Sequence, residues 1–392
     1  MSVSLQGSAA LQSGGALQIG GALQVKDGTV SPVGNGMVEL SATLGTERLW
    51  YVVPASHAPQ ELRGDAFAVA GLLPAMRLGL PLEIDPSLPV DPVLLANLER
   101  LQRIFVLWGH GLNQPFQHVP IIARAATAQS RGKIMSLFSG GVDGTYTLLE
   151  APHIEETVFV RGVDFQLDNP VYDEAFIRNA AWLAERNIPL IPMSSNVRWV
   201  GRHYGFSWNT YFGAGLSSFA HALGAGTMYI ASGHTWRELW PDGSHPLTDP
   251  LWSSSAVNIL HHGRAATRGD KLARIAQAPG ALELLRVCWQ DKGYNCGQCE
   301  KCLRTMVLLR LLDLHSPNFP LLTDVTPIAG LVPGDRSTAI FVKEAIKLAE
   351  NVGDRQLCAA LQKSLSKWEW RGILRDAEKA WLGGTVRKLL QR

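Results

Sequence analysis

The pattern of apolar and polar positions divides the chain into four parts. Up to residue 30 no period is sustained: Ala10-Leu11-Gln12, Ala16-Leu17-Gln18 and Ala22-Leu23-Gln24 recur six residues apart with glycine between them. Three short copies cannot bury a core of their own, and richness in Gly, Ser and Gln predicts a flexible tail over 1–30. Residues 31–128 predict a small α+β domain. Val38 to Leu44 and Arg48 to Val53 alternate as two strands joined at Gly45-Thr46. Ala66 to Met76 and Val93 to Trp108 show helical spacing, and residues 117–126 return as a strand. From 129 to 315 strands and helices alternate, the pattern of a parallel sheet with helices on both faces. The strands expected there are Ile134–Phe138, Glu156–Val163, Pro189–Ser194, Gly226–Ala231, Val257–Leu260 and Leu284–Cys288, with helices Val171–Glu185 and Thr210–Leu223 among them. Residues 316–392 read as a helical C-terminal region: Arg336–Asn351, Asp354–Lys367 and Glu369–Leu390.

Chemistry gathers first at Lys133-IMSLFSGGVDGTYTLL-Glu150. A buried strand runs into Ser139-Gly140-Gly141, where two glycines admit positive φ and let a ligand approach the backbone. Asp143 is placed to cap the helix that follows, whose first residues include Thr145. Free N–H groups and a helix dipole aimed at one point make an anion site, and phosphate is the usual anion. The stretch lacks the lysine of the Walker loop and the third glycine of the dinucleotide fingerprint. Ser139-Gly140-Gly141-Val142-Asp143 instead resembles the S-G-G-x-D-S loop of the N-type ATP pyrophosphatases, the PP-loop enzymes, with Gly144 in place of the final Ser. That resemblance implies a Rossmann-like (HUP-type) α/β domain, cleavage of ATP to AMP and pyrophosphate, and Mg²⁺.

Composition changes this picture little. Net charge is +2 and only 18% of residues are charged, which argues neither for nor against nucleic acid. No apolar run reaches the length of a membrane span, and MSVSLQGSAALQSGG lacks the features of a signal peptide, so a cytoplasmic protein is expected. The C-terminal part carries Lys363, Lys367, Arg371, Arg375, Lys379, Arg387, Lys388 and Arg392; this is either a solvated helix face or a contact for RNA or an acidic partner.

The cysteines matter more. Cys288, Cys296, Cys299 and Cys302 lie within 15 residues and contain two C-x-x-C steps. Four thiolates so spaced suit a closed tetrahedral zinc site; an iron–sulfur cluster uses the same ligand type. Cys358, alone on an amphipathic helix, reads as a core residue.

Together the loop and the segment Cys288-WQDKGYN-Cys296-GQ-Cys299-EK-Cys302-Leu303-Arg304 resemble 7-cyano-7-deazaguanine synthase. The match covers roughly residues 133–310, and the chain is enlarged at both ends, as in synthase-like proteins of bacterial defence and modification gene sets. The resemblance implies adenylation of a small carboxylate, a 7-deazapurine acid, followed by C–N bond formation with ammonia or another amine, including a protein N-terminus. It implies structural zinc at the four cysteines, and pyrophosphate held by Ser139, Gly140, Gly141, Gly144 and Thr145. Asp143 would hold Mg²⁺, and Val163 and Asp164 would meet the adenine or a substrate amine. Ser232, Gly233 and His234 follow a strand and are placed near the nucleotide. Arg268 and Lys271 either neutralise a phosphate or carboxylate or simply open an exposed helix. His245 is a second candidate base, and Trp236, Trp240 and Trp252 are candidates for stacking on a heterocycle. A second copy of the chain is one candidate partner. Two rivals stand beside this reading: a PP-loop tRNA-thiolating enzyme, and a nucleotide-binding scaffold that has lost turnover.

Overall fold

Residues 21–290 and 292–382 are described in the computed structural model, with side chains up to Leu374. The chain opens as an antiparallel meander of β1 (Leu23–Gly34), β2 (Met37–Leu44) and β3 (Glu47–Pro54). Strand β1 begins inside the stretch expected to be a flexible tail, and that expectation is corrected. Leu23-Gln24-Val25 alternates, and its two apolar side chains are buried where Val25 pairs with Leu44 and Leu23 with Leu82. The copies at Ala10–Gln12 and Ala16–Gln18 lie outside the described residues. Next come α1 (Asp65–Leu78), β4 (Leu82–Ile84), α2 (Pro92–Leu112) and β5 (Ile121–Ile122). The strand expected over 117–126 shrinks to these last two residues, because Pro120 has no N–H to give a ladder.

Alternation then sets in as expected: β6 (Ile134–Leu137), α3 (Val142–Glu150), β7 (Glu156–Arg161), α4 (Tyr172–Ala184) and β8 (Leu190–Ser195). Helices α5 (Val197–His203) and α6 (Trp208–Leu223) precede β9 (Thr227–Ala231) and β10 (Asn258–His262). The rest is helical: α7 (Arg268–Ala276), α8 (Ala281–Leu284), α9 (Glu300–Leu311), α10 (Thr326–Gly330), α11 (Arg336–Val352) and α12 (Arg355–Leu382). Two expectations fail here. Arg355–Leu382 is one helix rather than two: no Gly or Pro stands between Asp354 and Arg371, and the helix runs on through Gly372. Leu284–Cys288 is not a strand. Its backbone groups bond to Gly140, Tyr294 and Asn295 instead of to a neighbouring strand, so this apolar run is a buried strap.

All ten strands join one mostly parallel sheet in the order β10-β9-β6-β7-β8-β3-β2-β1-β4-β5. The chain steps from β6 to β7 and β8 on one side, then returns to place β9 and β10 on the other. Strand progression therefore reverses between β6 and β9, and ligands of such sheets bind outside the carboxyl ends of the strands at that reversal. Strand β3 pairs antiparallel with β8, so the N-terminal strands continue the same sheet. The region 31–128 expected as a domain has no core to itself: Phe67, Leu98 and Phe105 share one cluster with Met135, Met193 and Phe219. Hydrogen bonds tie the halves further, with Tyr204 donating to the Leu44 carbonyl at 2.7 Å and Tyr211 to that of Ala70. Helices cover both faces. Met228 and Ile230 of β9 meet the α6 side, while Tyr229 packs toward α3 and α7. No described helix is long and apolar enough to cross a membrane.

A cationic loop pocket beside a four-cysteine cluster

Strand β6 ends under cover: Phe138 is buried and stacks on Trp182. The chain then turns at Gly140, whose φ of +75° favours glycine and whose missing side chain matters as well. A Cβ there would sit 2.7 Å from Oδ1 of Asn179, a fully buried amide with no hydrogen-bond partner. The Gly140 carbonyl accepts from the N–H of Arg286 at 3.0 Å, which fastens the loop to the strap before the cysteines. Helix α3 starts at Val142 with Gly141 as its cap, so Asp143 is not the capping residue expected. It lies one residue inside the helix, and its carboxylate is used elsewhere.

That carboxylate organises the site. Oδ1 accepts from Lys271 at 3.0 Å and Oδ2 from Arg268, both on the first turn of α7. A capping box formed by Thr267 and Asp270 sets that turn. Lys271 is 1% exposed and also donates to the Ser232 carbonyl, which follows β9. Burial acts to raise the Asp143 pKa, but Arg268 and Lys271 together hold it well below the usual carboxylate range. Both oxygens thus face side-chain cations. The residues present do not make Asp143 a Mg²⁺ ligand, and that expectation is corrected.

The pocket so formed has a volume of about 210 Å³. Of the expected residues, Ser139, Gly141, Val142, Asp143, Gly144 and Arg268 line it, together with Val163 and Asp164 from the end of β7. Arg286, two residues before the first cysteine, and Lys301, one before the last, line it too. Three cations, a glycine loop and a helix start converge on one space, which favours a small polyanion. Other expected residues are elsewhere. Thr145 is fully buried, outside the pocket wall, and its hydroxyl has no partner. His234 turns to α11, pairing with Ser337 at 2.9 Å and stacking on Phe341, and burial pushes its pKa down to about 4. Neither it nor Gly233 lines the pocket; the Ser232 carbonyl accepts from Lys271, while its hydroxyl donates to the His234 carbonyl at 2.9 Å. His245 is buried against Trp108 with its pKa likewise down to about 4, Trp252 is a core residue, and Trp240 packs on His234. Trp236 is exposed beneath Arg264, away from the pocket.

The four cysteines meet as their spacing predicts. Their Sγ atoms all lie within 4.8 Å of one another, and the Cys288–Cys299 and Cys296–Cys302 pairs are each 3.9 Å apart. Four sulfurs about 2.3 Å from a tetrahedral ion stand roughly 3.8 Å apart, so the set fits a single metal ion such as zinc. An iron–sulfur cube holds its thiolates farther apart than this. A hydrogen bond from Cys302 leads the interactions that hold the Cys299 thiol low, while Cys302 and Cys288 are raised in the same cluster; a metal binds all four as thiolates. The cluster is also the fastening that carries Arg286 and Lys301 to the pocket wall. Sequence reasoning missed those two cations. Their signal was position alone, just before the first cysteine and just before the last.

Arg304, two residues after the last cysteine, is mostly covered and does not line the pocket. It sits 4.1 Å over the Phe341 ring, pairs with Glu300 at 3.2 Å, and is drawn down to about 10 by burial. No family model matches the chain, and neither does any curated protein or solved structure. What the site does must therefore be argued from its residues.

Proposed function

We propose that the chain is an ATP-dependent, zinc-containing C–N ligase of the PP-loop type, with a Rossmann-like (HUP-type) nucleotide domain. One observation carries the reading. At the reversal point of the sheet, the Ser139-Gly140-Gly141 loop meets Arg268, Arg286 and Lys301 in one pocket.

ATP is the substrate that fits such a pocket. N–H groups at Gly141, Val142 and Gly144 and the Ser139 hydroxyl hold the phosphates that leave, while the three cations spread their charge. Asp143 keeps Arg268 and Lys271 in place. A carboxylate oxygen of the acid attacks the α-phosphorus, the bond to the β-phosphate oxygen breaks, and pyrophosphate departs. This converts an oxide that cannot leave into AMP, which can. An amine then attacks the acyl carbon, AMP carries away the electron pair, and the amine loses a proton. By resemblance the acid is a 7-deazapurine carboxylate, and the amine is ammonia or a protein N-terminus. Zinc supplies no step; it holds the segment that bears Arg286 and Lys301. The thiolation rival gains nothing from the site, for the one cysteine lining the pocket is Cys288, a member of the metal set. A reducing, cytoplasmic setting suits four free thiols.

The test is pyrophosphate release from Mg-ATP with and without 7-carboxy-7-deazaguanine, followed by product mass. Release that depends on the acid supports the ligase. Release with other acids only removes the deazapurine. Nucleotide binding without release under any acid leaves the scaffold.

A further inference from the structure

Helix α11 lies outside the stretch 133–310 that resembles the synthase, yet it backs onto the cations around Asp143. Ser337, Phe341 and Leu348 follow one another at spacings of four and seven residues, on one face of that helix. Ser337 pairs with Nε2 of His234 at 2.9 Å, and Phe341 stacks on the same imidazole with the rings 17° from parallel. Leu348 packs on the first turn of α7, where a Cβ added to Gly269 would lie 3.8 Å from it. Between these anchors two guanidinium groups stand over the Phe341 ring, Arg268 at 5.6 Å and Arg304 at 4.1 Å. Apolar packing is not what places this ring. Phe341 is 7% exposed, but it belongs to none of the apolar clusters formed by the described residues. Burial, and after it the charge of Arg268, lower the Arg304 pKa to about 10, so the two guanidiniums repel at this spot.

We propose that Phe341 is a positioning residue: its ring holds Arg268 beside Arg304, so that α11 sets the polyanion affinity of the loop pocket. An aromatic face attracts a guanidinium through its quadrupole and takes none of the five N–H donors. A carboxylate in the same place would consume some of them. Asp143 accepts from Arg268 through Nη1 alone, so the ring steadies the guanidinium while its other donors stay available to an anion in the pocket that Arg268 lines. The second cation paired to Asp143 is backed by the same helix. Ser337 bonds His234, whose carbonyl accepts from the Ser232 hydroxyl, and the Ser232 carbonyl accepts from Lys271. This inference rests on the polyanion reading of the pocket and on no particular acid or amine.

The full chain, prepared with zinc, is titrated with inorganic pyrophosphate in a calorimeter. Difluoro-, trifluoro- and pentafluorophenylalanine replace Phe341 in turn; they keep the shape of the ring while draining and then inverting the charge of its face. Affinity should fall stepwise along this series, to about fivefold weaker with the pentafluoro ring, and by a similar factor in Phe341→Leu. A ring that served only as packing would do as well fluorinated. Equal affinity across the series would therefore overturn the proposal, even if Phe341→Leu alone weakened binding. A double-mutant cycle of Phe341→Leu with Arg268→Gln, read as denaturant midpoints, needs no anion. Non-additive midpoints are expected, and additive ones would refute the contact. If the native chain ignores pyrophosphate while the cycle stays non-additive, the polyanion reading falls and the role of Phe341 with it. If every variant binds pyrophosphate as the native chain does, only the role of Phe341 falls and the pocket stands.

Discussion

The four-cysteine cluster and the loop pocket share a wall but are built in opposite ways. All four thiols of the cluster come from 15 consecutive residues, and a short chain can bring them together with few distant neighbours. The pocket draws on β6, the end of β7, α7, and the strap and helix that carry the first and last cysteines. Its charge balance depends on Asp143 meeting Arg268 and Lys271, 125 and 128 residues away along the chain. A local site can be read from spacing. A composite one needs its whole fold, and a fault in the local site should spread into it through Arg286 and Lys301.

The largest effect is therefore expected at the cluster. Cys299→Ser should remove the bound metal and lower the melting temperature by about 10 °C or more, because metal binding is part of the folding free energy. It should also loosen the pocket wall, so nucleotide affinity falls with metal content in elemental analysis. A metal-free variant that melts with the native protein would break the dependence of one site on the other. Next comes Asp143→Asn. It leaves Arg268 and the 1% exposed Lys271 without their counter-charge and should cost about 3 kcal/mol in denaturant titration, with the metal retained. An unchanged midpoint would mean that the pair does not hold the pocket.

Titration offers a finer test, through buried groups shifted across mild acid. His234 and His245, both held down to about 4 chiefly by burial, are accommodated in their neutral form. Their contribution is present above the ordinary value of 6.5 and is lost as pH falls through about 4. Asp242 and Glu344 run the other way, raised by burial to about 6 and about 7. Their contribution is present below the ordinary values of 3.8 and 4.5 and is lost as pH rises through those raised values. The two pairs oppose each other. Glu344→Gln removes one opposing member, so stability should climb with pH more steeply than in the native chain between about 4.5 and about 7. Parallel profiles would show that Glu344 does not titrate there. The smallest effect is expected at Thr145→Val. A buried hydroxyl without a partner gains little from its polarity, so stability should change by less than about 1 kcal/mol and pyrophosphate release should persist. Loss of release would return Thr145 to the phosphate site.

Legibility followed the same division. The meander, the alternation of strands and helices, the loop and the metal set could be read because each depends on a short period or a short spacing. The strap at Leu284–Cys288 could not. It has the apolar run of a strand, but the side chains of Tyr294 and Asn295 in the loop that follows, and the Gly140 carbonyl, take its hydrogen bonds. His234 and the three expected tryptophans were assigned by residue type in a polar stretch; packing on α11 and α2 gave His234 and Trp252 other roles, and Trp236 stays exposed away from the pocket.

By itself the sequence determined the α/β class, the glycine turn after β6 and the four-thiol cluster, since backbone sterics and thiolate chemistry act over a few residues. Tertiary structure alone decided that the N-terminal strands extend the same sheet and that Asp143 binds cations instead of capping its helix. It also decided that Trp50, Trp199, Trp208 and Trp289 line one cleft. The reason is physical: strand pairing, ion pairs and cavity walls join residues by distance in space, and no period along the chain records that distance.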